Sequence, residues 1–242
     1  MRTYCADLHI HSCFSPCGQS TMTPRAIVKA AVDAGLDLIA ITDHNTAAMT
    51  PMFARVARDA GLAFLFGLEL QTREDVHLLA YFDDEATCLA FSDEIYALLP
   101  GTYEDPYGLG EQIVMNAEEN ILRYEPKFLV NGLDISFADA SRRIFELGGL
   151  AVPAHIDREF FSALSQMGKL PEGLESPIIE VRGKCIPEIC GVGAVLRTSD
   201  AHSPERIGER STGITVEVLT IAELRKAAAG IGGRSLVGEL SQ

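Results

Sequence analysis

At 242 residues with 47% hydrophobic content, the chain carries enough apolar side chain to bury a full core, and we read residues 1–242 as one domain. Its formal net charge of −14 argues against duplex nucleic acid as a partner, because that polyanion is held by clustered Lys and Arg that displace counterions. The first motif follows Met1 within a few residues, no apolar run approaches a membrane span, and the six cysteines contain no CxxC pair, so we expect a cytoplasmic protein with no signal peptide, membrane partner or disulfide framework.

Apolar, β-rich runs alternate with helix signals along the chain. Ala6–Leu8 reads as a strand running into His9. Thr23 followed by Pro24 opens a helix that stops at Gly35. Leu36–Thr42 is a second strand, ending at Asp43 and His44, and Thr50-Pro51 opens a second helix that stops at Gly61. Ala63–Leu68 runs into Glu69, and Asp75–Tyr81 carries His77 inside a strand. The rhythm then breaks from about 100 to 133, where a loop at Gly101–Gly108 precedes two short runs, Gln112–Met115 and Ile121–Tyr124, that flank a polar turn like a hairpin; we expect an insertion beside the main domain. Ser136 with Asp139 begins a helix that ends near Gly148, and Leu150–Ala154 runs into His155. Ile178–Val181 and Ala194–Thr198 are further strands, the latter leading to Asp200 and His202. Thr220 with Glu223 predicts a capping box closed by Gly230, and the Gly-rich tail reads as a frayed end. Strand–helix–strand repetition predicts parallel strands, with the chemistry at their C-terminal ends in a TIM-like barrel or an open α/β sheet.

All six histidines lie in or just after these apolar runs, accompanied by carboxylates. In an extended segment residues i and i+2 share a face, so His9 and His11 can reach one ion, as can Asp200 and His202. Neighbours cannot, so of Asp43 and His44 one is expected on the metal and the other behind it. Glu69, with two oxygens at a strand end, is a natural bridge between ions. Arg158, Arg206, Lys184 and Arg182 follow these motifs closely and are candidates to clamp a phosphate; Asp43, His44 and His202 are candidates for proton transfer.

The succession Asp7-Leu8-His9-Ile10-His11-Ser12, Thr42-Asp43-His44-Asn45, Gly67-Leu68-Glu69, Pro153-Ala154-His155 and Ser199-Asp200-Ala201-His202 resembles the motifs of the PHP (polymerase and histidinol phosphatase) superfamily in order and separation. The resemblance implies a distorted (β/α)7 TIM-like barrel with two or three divalent ions, Mn, Zn or Fe, that hydrolyses a small phosphorylated substrate with a metal-activated hydroxide. It further implies that His9, His11, Glu69 and Asp200 hold one ion, Glu69, His77 and His155 a second, and His44 and His202 a third. The sequence departs from the family at Pro16 and Cys17, where relatives supply Asp or His. A Cys17 thiolate suits Zn or Fe better than Mn. A zinc amidohydrolase and a metal-binding regulatory module without turnover are the alternative readings.

Overall fold

The computed structural model describes residues 1–101, 104–105, 108–170, 178–183 and 193–238. Eleven strands and six α-helices are described: β1 (Arg2–Ile10), α1 (Pro24–Asp33), β2 (Leu38–Ile41), α2 (Thr50–Asp59), β3 (Ala63–Gln71), β4 (His77–Phe82), α3 (Glu85–Leu98), β5 (Ile113–Met115), β6 (Ile121–Tyr124), α4 (Phe137–Glu146), β7 (Leu150–Pro153), α5 (Ala163–Met167), β8 (Ile178–Glu180), β9 (Ala194–Leu196), β10 (Thr212–Val216), α6 (Ile221–Ala228) and β11 (Ser235–Gly238). Seven strands form one curled sheet in the order β11-β10-β1-β2-β3-β4-β7, with β8-β9 and β5-β6 as separate two-stranded pieces. The sheet does not close on itself among the described residues. The architecture is an α/β half-barrel of the expected class.

Side chains alternate across the sheet with the period of two that a pleated strand imposes. Ile39 and Ile41 of β2 and Leu78, Ala80 and Phe82 of β4 enter one apolar cluster, beneath α1 to α4. Leu38, Ala40, Leu79 and Tyr81 enter a second, shared with β8, β9 and α6. Both faces are therefore covered, which is why the strands read as unbroken apolar runs.

Strand direction departs from the all-parallel expectation. β1, β2 and β3 are parallel, but β4 pairs antiparallel with both β3 and β7, and β10 pairs antiparallel with β1 and β11. The five residues between Gln71 at the end of β3 and His77 at the start of β4 are too few for a helical crossover, so β3 and β4 form a hairpin. Its consequence for the site is direct. Gln71 lies opposite His77 and Leu78 opposite Pro153, so the start of β4 falls at the same sheet edge as the ends of β3 and β7.

Local signals hold at several helix starts. Thr23 caps α1, accepting from the Ala26 amide, Ser136 caps α4 by accepting from Asp139, and Thr220 caps α6 by accepting from Glu223. Two details differ. Thr50 lies inside the first turn of α2 and donates to the Ala47 carbonyl rather than capping. The Glu223 carboxylate accepts from Glu217 N and Arg234 instead of closing a reciprocal box with Thr220. The tail is not frayed through its described part, since β11 pairs with β10. The hairpin appears where expected, as β5 and β6, and its turn grips α1: the Glu119 carboxylate accepts from the Thr23 hydroxyl at 2.7 Å and from Arg25 N at 2.9 Å. Among the described residues no helix is long and apolar enough to cross a membrane.

Candidate metal centre and its surroundings

Glu69 stands at the middle of the sheet edge, 1% exposed, and five imidazoles converge on its two oxygens. His9 Nε2, His77 Nδ1 and His155 Nε2 lie 3.3, 2.9 and 3.3 Å from Oε1, and His11 Nε2 and His44 Nδ1 lie 3.3 and 3.2 Å from Oε2. Asp200 faces it from the other side, its Oδ1 being 3.5 Å from His9 Nε2 and 3.3 Å from His11 Nε2. His202 and Cys17 complete one corner, where donor atoms of His11, Cys17 and His202 all lie within 4.8 Å of one another.

Backbone shape places several of these groups. The β-strands end abruptly, and His155 (φ 27°) and Asp200 (φ 48°) adopt left-handed conformations that bring their side chains back over the sheet edge. Such strain persists only where surrounding contacts enforce it. Asn45, also left-handed at φ 53°, clamps the neighbouring turn by accepting from Gln71 N and donating to the Leu129 and Asn131 carbonyls.

Behind the cluster, buried polar groups fix which nitrogen of each ring carries the proton. His9 Nδ1 meets the Glu180 carboxylate at 2.9 and 3.1 Å, so Nδ1–H donates and the Nε2 lone pair faces the cluster. Asp43 accepts from Ser12 N, Ser12 Oγ and Ser15 Oγ; Ser15 Oγ, its proton so committed, lies 3.2 Å from His11 Nδ1 and accepts from His44 N. This aims His11 Nε2 inward as well. His202 Nδ1 lies 2.8 Å from the Asp200 carbonyl, which can only accept, and Nε2 is left with its lone pair.

These assignments test whether the residues fit a metal. His9 Nε2 and His11 Nε2 face each other at 3.1 Å, where neutral rings oppose two lone pairs and charged rings two N–H groups, and a shared cation relieves either conflict. His44 Nδ1, Glu69 Oε2, His77 Nε2 and His155 Nδ1 are buried with no hydrogen-bond partner. Buried donors left in that state cost free energy that a coordinated cation recovers. The three donor groups, His9-His11-Glu69, His44-Glu69-His77 and His11-Cys17-His202, suit divalent ions with imidazole, carboxylate and thiolate ligands. The residues fit.

Charge in the cluster is strongly coupled. Burial penalises an imidazolium at His9, yet Glu180, Glu69 and Asp200 outweigh that penalty and hold its pKa well above the usual range. His11 is pushed up to about 9, burial being overcome by the Asp200 and Glu69 carboxylates beside its Nε2. Burial pushes His44 well down and His202 down to about 4, which keeps both as neutral donors. Burial, reinforced by Glu69 and Asp200, raises the Cys17 thiol well above its ordinary value.

A cleft of about 620 Å³ opens above these groups, lined by residues that include His11, Cys17, His44, His77, Asp200 and His202. Arg158 also lines it and, with Arg182, donates to Asp200 Oδ2, at 3.2 and 2.8 Å. Two expected residues fall elsewhere. Arg206 sits in a short 3-10 turn and pairs with Glu209 at 3.1 Å, and it does not line the cleft. Asp43 lies buried behind Ser12 and Ser15 and reaches His11 and His44 through the Ser15 hydroxyl. Lys184 lies outside the described residues.

The groups that sequence reasoning passes over are mostly those behind the ligands. Glu180 belongs to the Ile178–Val181 strand, where a carboxylate amid apolar neighbours signals a buried partner. It accepts from His155 N at 2.7 Å and from the Thr198 hydroxyl as well as from His9, tying three ligand-bearing segments together. Asp7 does similar work for the Asp200 segment, accepting from Ser199 N and Gly208 N, both at 3.0 Å.

This edge-on cluster of histidines and carboxylates on a curled α/β sheet defines a metal-dependent hydrolase class of site. The chain belongs to the PHP domain family, whose model matches residues 7–144. A 65-residue stretch is 42% identical to an error-prone DNA polymerase of Nocardia farcinica, covering 27% of this chain and 6% of that one. In structure the chain is similar to the lesion-specific endonuclease PfuEndoQ of Pyrococcus furiosus, at a TM-score of 0.70 and 21% identity over 97% of this chain and 58% of that one. The same likeness holds for Endonuclease Q in complex with a 27-mer duplex bearing an abasic lesion at the active site. A two-domain protein of Bacteroides vulgatus containing a predicted PHP-like metal-dependent phosphoesterase aligns at a TM-score of 0.59 and 18% identity, over 99% of this chain and 65% of that one. The chain thus spans less than two thirds of these relatives.

The duplex complex corrects the expectation of a small phosphorylated substrate and of no duplex nucleic acid. Net charge is the wrong quantity. It averages over the whole surface, whereas a substrate meets one cleft, where Arg158 and imidazoles able to hold cations converge.

Proposed function

We propose that the protein is a metal-dependent phosphodiesterase that cuts nucleic acid. The observation that carries this reading is the convergence of five imidazoles on Glu69 beneath an open cleft whose rim holds Arg158. We assign His9, His11, Glu69 and Asp200 to one ion, Glu69, His77 and His155 to a second, and His44, His202 and Cys17 to a third. Bound Mn, Zn or Fe would lower the pKa of a water and offset charge on a phosphoryl group.

The chain's own residues supply the rest. Glu180, Ser15 and the Asp200 carbonyl fix the ring protons of His9, His11 and His202 on the nitrogens away from the cleft. Arg158 and Arg182, now turned to Asp200 Oδ2, carry N–H donors that can move to a phosphate oxygen at the same place. His44 and His202, kept neutral by burial, offer lone pairs to an ion at the floor of the cleft. Support for nucleic acid comes from the polymerase and endonuclease likenesses.

The test is cleavage by Mn- and by Zn-loaded protein of single-stranded, duplex and abasic-site oligonucleotides, run beside mononucleotides and sugar phosphates. Backbone cleavage of an oligonucleotide that chelation abolishes is the expected result. Turnover of monoesters alone would refute the reading.

A further inference from the structure

Asp157 is tied to both arginines that reach Asp200. Arg158 is its neighbour in sequence, in the turn after His155, where Arg158 N donates to the His155 carbonyl at 2.9 Å. Arg182 follows β8, and its amide donates to Asp157 Oδ1 at 2.9 Å. The next amide, Gly183 N, donates to Oδ2. One carboxylate thus accepts from two successive main-chain N–H groups, the arrangement in which a backbone concavity holds an anion. Asp157 does not line the cleft, so contact with a substrate does not account for an acidic side chain at this place.

The turn is also held from its other side. Arg197 Nη1 donates to the Val181 carbonyl at 3.2 Å and to the Gly183 carbonyl. Arg197 is fixed in turn by the Thr212 hydroxyl, which accepts from Arg197 N at 2.7 Å and donates to the Arg197 carbonyl at 2.8 Å. Gly183 is a tight point, because a Cβ there would meet Asp157 Oδ2 at 2.8 Å. What this fixed main chain carries toward the site is the Arg182 guanidinium, 2.8 Å from Asp200 Oδ2, beside that of Arg158 at 3.2 Å. Two guanidinium groups on one oxygen repel each other, and a long side chain keeps such a position only where its backbone is held. Asp157 holds one arginine through hydrogen bonds and the other through the chain.

We propose that Asp157 is a positioning residue: it pins the turn after β8 so that the Arg182 and Arg158 guanidinium groups converge at Asp200 as one fork for a phosphate group. The inference rests on the phosphodiester reading above and deepens it, since it makes the two arginines act as a pair. Asp157 itself does not touch the substrate. Its effect passes through Arg182, so the loss of Asp157 matters only while Arg182 is present.

Double-mutant cycles at saturating Mn read this dependence. Asp157→Asn keeps the shape but can accept from only one of the two amides, because its NH2 group faces the other. Gly183→Ala leaves Asp157 in the chain and displaces its carboxylate by contact; the clash is with the end of a side chain, so the fold should survive. Each is combined with Arg182→Ala. Two quantities are measured: kcat/KM on the best-cut oligonucleotide, and the Kd of inorganic phosphate by calorimetry, which needs no turnover. Arg182→Ala is expected to lower kcat/KM about 100- to 1,000-fold, the range for one lost donor to a developing charge. Asp157→Asn and Gly183→Ala are each expected to lower it about 10- to 100-fold, as the loss of a group that orients a binding residue does. In the Arg182→Ala background neither should lower it by more than about twofold, and the phosphate Kd should follow the same pattern. Losses that multiply in the double variants would make Asp157 merely structural and overturn the proposal. So would an Arg182→Ala protein that binds phosphate as the wild type does, or a wild type that binds none. Should the wild type cut no oligonucleotide, the nuclease reading fails by itself, and the phosphate cycles still decide the fork.

Discussion

Five imidazoles converge on Glu69, and its loss should be correspondingly broad. Glu69→Ala is expected to leave the protein without its metals as well as without activity, since two ions are assigned to one carboxylate; elemental analysis showing a full complement in folded variant would refute the bridging role. Glu180 acts at one remove. Glu180→Gln should keep the fold but weaken metal binding about 10- to 100-fold, because the carboxylate that sets the His9 ring proton is gone. Competition with a fluorescent chelator measures it, and an unchanged affinity would make Glu180 merely structural. Protons compete for the same donors. The His11 pKa is raised to about 9, so below that pH the ring must surrender a proton before it can bind an ion, and affinity should rise with pH up to about 9. Calorimetry in buffers of differing ionisation enthalpy should detect proton release at pH 7; none would contradict the assignment. At Cys17, replacement by Asp exchanges a soft donor for a hard one and should move preference from Zn towards Mn, whereas Cys17→Ala should weaken a single ion. An unchanged Zn-to-Mn preference in Cys17→Asp would remove the thiolate from the site.

At the scale of elements, the antiparallel run β3-β4-β7 is what brings His77 and His155 to Glu69, and Gly149 is its tight point. A Cβ there would meet Phe82 Cε1 at 2.6 Å, the Tyr81 carbonyl at 2.8 Å and Ile144 Cγ2 at 2.9 Å. Gly149→Ala should therefore push β7 from β4 and destabilise the fold by about 1–3 kcal/mol, read as a lower Tm. An undiminished Tm would mean that the strands separate without cost. This run also marks the limit of what the sequence discloses. The ligand-bearing doublets are legible because polar, ionisable groups at i, i+2 spacing in an apolar strand are costly to bury unless something binds them. The Thr23 and Ser136 caps are legible because capping is local. The direction of β4 depends on a short loop and on partners far along the chain, and α3 hides its register because apolar residues lie on most of its circumference. Glu180, Asp7 and Ser15 are equally hidden, as their importance lies in contacts with segments distant in sequence.

For the whole molecule, a formal net charge of −14 must be reconciled with the polyanionic substrate we propose. Five buried carboxylates, Asp7, Asp43, Glu69, Glu180 and Asp200, surround the imidazoles, so without cations the site region itself disfavours phosphate. Bound ions would reverse that sign locally, and among the described residues Arg158 and Arg182 stand beside Asp200 to add fixed positive charge. Binding of an oligonucleotide should then depend on metal even where cutting is not measured. It should also depend weakly on salt. Two phosphates neutralised by arginine correspond to a slope of log K against log salt of about −2, at roughly −0.9 per phosphate on duplex. Fluorescence anisotropy across ~50–200 mM salt, with Mn and with chelator, measures both quantities. A steep slope, or binding that survives chelation, would show that an extended basic track rather than this cleft grips the backbone.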